Sequence, residues 1–514
     1  MLARNVWWPL TITVSCAALA FLWLTQIPLG VPGEWTWQRL PADELSPGNA
    51  LLAGLAALGY AGAVYIGGKR LAHEGVQSVE IAGWLMVLVG LAASWLWTVQ
   101  ETAPPQGQWA KGPFVLYYPS SSGYFFHVRY RAPDAAKFLA GYEQLMSEGD
   151  VLHVGTHPPG LFLLFHGLIA VQELCPGPAQ VLLSGAPESF REAMAIVREN
   201  SAQTPFPAAA GDSITLWLAC LLALVFAAGT VVPLYALLRL NLPREAAWYG
   251  AALWPAVPAI AIFLPKSDAA YPFIATTLVA AVVYSWRRRS AFGGALAGVI
   301  LWVGLLASLA VLPVFLFAGL YIATDRWLSR GISQLTRAEW RWAAALTAGF
   351  FVPVGVMGVF GSVNLPVVWL WNYHNHAGFY GKFTRTWWAW LLINPLELTL
   401  AVGLPIALLA LRAGFALCRD RRRHSNGSRA ALWIGAGVWG LLWLSGKNSG
   451  EAARLWLLLM PGVVWLAGQG LIRRDPAPAS PRFDRRLALG SLFLALTAGL
   501  LTVHRVGGFH LSSG

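Results

Sequence analysis

The side chains able to do chemistry gather in four stretches. The segment 151–160 reads Val-Leu-His-Val-Gly-Thr-His-Pro-Pro-Gly and places His153 and His157 just after Asp150. Lys266-Ser267-Asp268 forms a second group, and Tyr373-His374-Asn375-His376 with Lys382 a third. The fourth is Lys447-Asn448-Ser449-Gly450-Glu451-Ala452-Ala453-Arg454. Carboxylates and imidazoles move protons when a hydroxyl comes within reach, and arginine or lysine stabilises charge developing on a leaving anion. The catalytic candidates are therefore Asp150, Asp268 and His157. Candidates for holding an anionic substrate are Arg454, Glu451, Lys447, His376 and Lys266.

Each has a plainer role open to it. Thr156 before the proline pair suits a helix start, and Asp268 complements the dipole of a helix opening near Tyr271. Glu451 and Arg454 can simply pair at i,i+3. The acids Asp134, Glu143 and Glu148 fit the solvated face of an amphipathic helix. His374 and His376 around one asparagine make a weak metal motif with no carboxylate partner. No metal ligand is assigned, and a divalent ion stays open only as a cofactor.

The elements that position these groups belong to a membrane. Hydrophobic residues make up 57% of the 514 positions and charged residues 12%, about half the charged share of a soluble globular protein. Runs such as 214–238 are long enough to cross, as helices, a hydrocarbon core about 30 Å thick. The 27 tryptophans tend to flank such runs, as at Trp7, Trp8, Trp340, Trp387, Trp388 and Trp390, where amphipathic rings favour the headgroup level. The formal charge of +12 does not point to nucleic acid, because the basic residues sit in short loops between apolar runs. Cys16, Cys175, Cys220 and Cys418 have no paired spacing and carry no redox inference. The first run, after Arg4, lacks a small-residue cleavage site and reads as a retained anchor.

Apolar runs at 7–29, 51–68, 81–99, 213–238, 247–264, 270–286, 292–307, 309–324, 342–360, 394–417, 430–446, 456–472 and 487–504 predict an all-α polytopic protein of about thirteen transmembrane helices. Residues 1–514 form a single membrane domain. With the N-terminus inside, Lys69-Arg70, Arg239, Arg244, 287–289, 326–341, 419–429 and 473–486 all fall on the inner side, as the positive-inside rule requires. The Pro/Ala tract 476–481 is then a solvated inner loop. The segment 100–212 becomes an external first loop. Spanning by 159–175 would invert every later loop, so that run is expected to lie at the interface, where His166 is easier to tolerate. Short amphipathic helices are expected at 133–149 and 187–200.

At these residues a resemblance appears. A long outer loop ending in the His-Pro-Pro-Gly helix start resembles the polytopic glycosyltransferases of the GT-C superfamily, in particular bacterial mannosyltransferase-like membrane proteins. Asp268-Ala-Ala-Tyr271-Pro272 resembles the short outer Asp-containing turn of that group, and Asn375-His376-Ala-Gly-Phe-Tyr380 a later outer segment. Gly450-Glu451-Ala-Ala-Arg454-Leu-Trp456-Leu-Leu-Leu-Met460-Pro461 is similar to its Gly-Glu-x-x-Arg-x-Trp-to-Met-Pro signature. The matches run from about residue 100 to 470.

The resemblance implies a GT-C-like bundle in the bacterial inner membrane with its active face outside. It implies inverting transfer of a sugar from a polyprenyl-phosphate donor to an acceptor glycan, lipid or protein. The group usually carries its base, a carboxylate, early in the first outer loop. Here 117–130 reads Tyr-Tyr-Pro-Ser-Ser-Ser-Gly-Tyr-Phe-Phe-His-Val-Arg-Tyr and holds no acid. A site that binds an anion but needs no base also suits a transporter or flippase for a lipid-linked or small anionic substrate. A catalytically silent protein of the same fold is the third reading.

Overall fold

Apolar length and the need to satisfy every backbone polar group dictate helices, and helices dominate the computed structural model. It describes residues 2–331, 334–419, 425–447, 449–473 and 482–509. Asn448, part of the basic cluster at 419–429, part of that at 473–486 and the tract 476–481 lie outside the described residues.

Eight helices among the described residues are long and apolar enough to cross a membrane, or ten if each of two bent pairs is one span. The protein is thus a multi-pass helical membrane protein. Several predicted runs do not form single straight helices. The run 247–264 is divided into Arg244–Ala252, a 3-10 turn at Trp254–Ala256 and Pro258–Phe263, because Pro255 and Pro258 lack the amide that would continue the ladder. The run 394–417 is two helices, Trp387–Val402 and Leu404–Arg419, bent by 106° at Gly403. Near 456–472 the chain makes a short helix Ala452–Leu455, a 3-10 turn and then Met460–Gln469.

The centre of the bundle is the continuous span Ala210–Arg239 packed with the broken 244–263 segment. Trp248, Trp254 and Phe263 there are inaccessible to solvent. By contrast Arg337–Phe360 turns Phe351, Val352, Val359 and Phe360 outward, as a helix bordered by lipid does.

Several basic loop residues gather at one end of the bundle. There Arg485 pairs with Glu245 at 2.6 Å and Arg289 with Glu339 at 2.8 Å, while Arg244 donates to the Val76 carbonyl at 3.4 Å. Arg326 and Arg330 also face the buried Glu339 carboxylate. The opposite end carries the 102–209 segment, an N-terminal hairpin Gly30–Val31 with Trp35–Thr36, and the turns at 264–270, 383–386 and 445–451. Glu34 of the hairpin accepts the Thr386 amide at 3.0 Å and Trp390 Nε1 at 2.6 Å, so it caps the helix Trp387–Val402. Exposed Trp340 marks the first end, and exposed Trp387 and Trp388 the second.

The run 159–175 becomes helix Gly160–Leu174, followed after a 104° bend by Pro176–Ser184. Gly160 lies against the Leu306 carbonyl, and Gln172 against Gly211. Leu306 closes the shorter apolar helix Ala291–Ala307 and Gly211 opens the span Ala210–Arg239 at the same end of the bundle. Both ends of the helix therefore sit at one level, and Val171, Leu174 and Val181 are exposed, the arrangement of an element lying along the bundle's edge. The amphipathic stretch 133–149 is two short helices, Ala135–Ala140 and Tyr142–Ser147. Asp134 opens the first by accepting the Ala136 amide at 3.0 Å and the Lys137 amide at 3.1 Å.

Candidate functional site

Three of the four polar stretches meet the 150–157 loop at the end away from the basic clusters. The loop is built by Asp150. Its carboxylate accepts the amides of Leu152 at 3.1 Å, Val154 at 2.9 Å and Gly155 at 3.2 Å, the local side-chain to backbone bonding that favours turns over helix. Gly155 is buried and packs so tightly that an added Cβ would strike the Asp150 carbonyl and come within 3.0 Å of Asn375 Nδ2. From the helix Leu365–Lys382, Asn372 and Asn375 reach across. Asn372 Nδ2 donates to the Gly155 and His157 carbonyls at 2.9 and 3.1 Å, and Asn375 Nδ2 to those of Gly155 and Met146 at 3.0 and 2.9 Å. The Tyr142 hydroxyl adds a 2.7 Å bond to the His157 carbonyl. The loop is therefore fixed by side chains distant in sequence.

The second stretch enters from below. Lys266 is buried and donates to the Ser121 carbonyl at 2.8 Å. Burial and the nearby Arg454 guanidinium lower its ammonium to about 7, against the pull of Asp268 and Glu451. Asp268 is the hub: its charge acts on His157, Lys266, Arg454, Tyr124 and Tyr271. Among the described residues no side chain donates a hydrogen bond to it.

The fourth stretch arrives through an unusual backbone. Gly450 and Glu451 both have positive φ, 78° and 55°, a conformation that is uncommon for a non-glycine residue. The turn is held by buried Glu397, whose carboxylate accepts the Ala453 amide at 2.9 Å. It sets Glu451 against Arg454 at 2.6 Å, with the arginine side chain 11% exposed. The i,i+3 pair expected from sequence is present, but it faces Asp268 and Lys266 instead of solvent.

His376 joins from the third stretch. It lies close enough to lower the His157 pKa, and burial and Lys447 lower its own. Lys447 stands at the rim, 4.3 Å above the Tyr373 ring and 3.3 Å from its hydroxyl. His153, which donates to the Ser120 carbonyl, is held well below the ordinary imidazole range by burial and by Lys266. Burial also holds His157 down to about 4, in spite of Asp268.

The structure thus gathers Asp268, His157, Arg454, Glu451, Lys266 and His376, with Lys447 at the edge. Asp150 is beside them, but its oxygens hold the loop. Sequence reasoning missed Asn372, Tyr124 and Tyr142, and named Asn375 without giving it a role. The inward asparagines had one signal, their i,i+3 spacing on a helix that is otherwise aromatic. Among the described residues no three His, Cys, Asp or Glu side chains converge as a metal cage.

Beyond the cluster, between the helices, lies an apolar cavity of about 630 Å³. Ala275, Thr276, Leu458 and Leu459 line it one turn or so past Tyr271 and Arg454, and it continues to Asn241, Tyr321 and Cys418 toward the basic end. A polar, cation-rich cluster therefore adjoins an apolar slot within the membrane-spanning part. Compared with known proteins, the chain matches no family model and no curated relative.

Proposed function

We propose that the chain is an inner-membrane glycosyltransferase that takes a sugar from a polyprenyl-phosphate donor and passes it, with inversion, to an acceptor outside the cytoplasm. The observation that carries this reading is the pairing of the Asp268 cluster with the apolar cavity. Such a pair suits an amphiphile with a phosphate head and a long hydrocarbon tail. Arg454 and Lys266 neutralise the phosphate as it departs, and Glu451 fixes the guanidinium. Asp268 and His157 remain to serve the acceptor hydroxyl. The basic end then faces the cytoplasm with the N-terminus, and the broken segments count among about thirteen passes.

Purified protein incubated with a radiolabelled polyprenyl-phosphate sugar tests the reading. Release of the lipid phosphate together with sugar transfer supports it; intact donor under all acceptor conditions refutes it. A transporter is the second reading, favoured by the helix pair Trp387–Val402 and Leu404–Arg419 bent by 106°, since broken helices mark many transport sites. Translocation of intact donor in liposomes would establish that alternative.

A further inference from the structure

An acceptor hydroxyl must lose its proton as it attacks, and two carboxylates near the site, Asp150 and Glu451, are already bonded. Asp150 accepts three backbone amides. Asp268 is close enough for its charge to act on Lys266 and Arg454 and on the His157 ring alike, which places it as the counter-charge of the cluster. The early part of the loop, 117–130, has no acid.

The His157 ring has a fixed sense. Its Nδ1 lies 3.0 Å from Thr156 Oγ1. The threonine hydroxyl already spends its proton on the Leu152 carbonyl, so toward the ring it is an acceptor. A neutral imidazole has one N–H and one lone pair, and the N–H therefore resides on Nδ1, where the oxygen needs a donor. Nε2 is left as the acceptor, and among the described residues no side chain is shown hydrogen-bonded to it; the His153 carbonyl, the ring's other hydrogen-bond acceptor, draws on that same single N–H. The ring is aimed by its backbone, since Asn372 and Tyr142 hold the His157 carbonyl. The groups facing it are Asp268 and Lys266 from one turn, His376 from the Leu365–Lys382 helix and His153 from its own loop. The Tyr124 ring stands edge-on at 5.6 Å.

We infer that His157, through Nε2, takes the proton of the acceptor hydroxyl, with Thr156 as the positioning residue that sets its tautomer. This rests on the glycosyl-transfer reading. The acceptor oxygen bonds to the anomeric carbon while the bond from that carbon to the phosphate oxygen breaks. Its electron pair leaves with the lipid phosphate beside Arg454 and Lys266. The acceptor proton passes to Nε2, and the Asp268 carboxylate stabilises the imidazolium formed.

The test uses the full chain in detergent micelles with a labelled polyprenyl-phosphate sugar. His157→Ala is expected to lower transfer by about 10²–10⁴-fold with donor affinity unchanged, and added imidazole to restore part of the rate. His157→Gln, closer in volume, is expected to lose the rate without rescue. Nitrogen-15 spectra of the histidine-labelled wild type are expected to show an unprotonated Nε2 on one histidine, with that signal missing from His157→Gln. Wild-type transfer with an undiminished rate in His157→Ala, or a protonated Nε2, overturns the base and leaves the glycosyl-transfer reading standing. Absence of transfer by the wild type overturns that reading, and the base falls with it.

Discussion

The asparagine clasp on the 150–157 loop makes a prediction whose size follows from counting donors. Gly155 is buried, and its carbonyl accepts from both Asn372 and Asn375. Each asparagine also holds one more carbonyl that has another donor: Tyr142 serves His157, and the Gly149 amide serves Met146 at 3.3 Å. Asn372→Leu or Asn375→Leu, close to isosteric, therefore leaves every acceptor with a partner and costs about 0.5–1.5 kcal/mol for the lost bonds. The double variant strips the Gly155 carbonyl of both donors in a site that leucine keeps dry. An orphaned buried acceptor adds about 1–3 kcal/mol beyond the sum. Equilibrium unfolding of the four proteins in mixed micelles, followed by tryptophan fluorescence, measures this coupling. A double variant whose loss equals the sum of the singles to within about 0.5 kcal/mol refutes the shared-acceptor geometry.

Three further outcomes are expected. Arg454→Ala loses the guanidinium beside Asp268 and Glu451, and sugar transfer should fall by about 10²–10³-fold; circular dichroism checks that the fold persists. Lys266 is charged below about pH 7 and neutral above it, so affinity for the phosphate donor should weaken as pH rises through 7. Lys266→Met should bind weakly at all pH values and remove that slope in a titration of labelled donor. Val438 lines the apolar cavity, and Val438→Trp should fill it. The KM for a long-chain donor should rise while that for a short-chain analogue stays constant, as measured by initial rates.

The acid-free stretch 117–130 and the four polar stretches were legible in the sequence. Burial and pairing of the polar groups were not. Asp150 directly precedes the two histidines and reads as a base, yet three backbone amides occupy it, a use that depends on a turn with no hydrophobic period to announce it. Lys447 reads as equal to Lys266, but one stands over an exposed tyrosine and the other is buried. His374 and Asn375 are neighbours in sequence. The helix turns the first outward and the second into the loop, because successive residues lie about 100° apart around the axis.

By itself the sequence determined that the chain is a multi-pass helical membrane protein and that its densest basic clusters lie in short loops between apolar runs. The bilayer enforces both through local rules, apolar length and loop charge. Only the tertiary structure decided where the helices break, and that the 150–157 loop, Lys266-Ser267-Asp268, His376 and Glu451-Arg454 share one cluster above an apolar cavity. Those contacts join residues as far apart as His157 and Arg454. They depend on the rotation and register of packed helices, which no local pattern in the chain specifies.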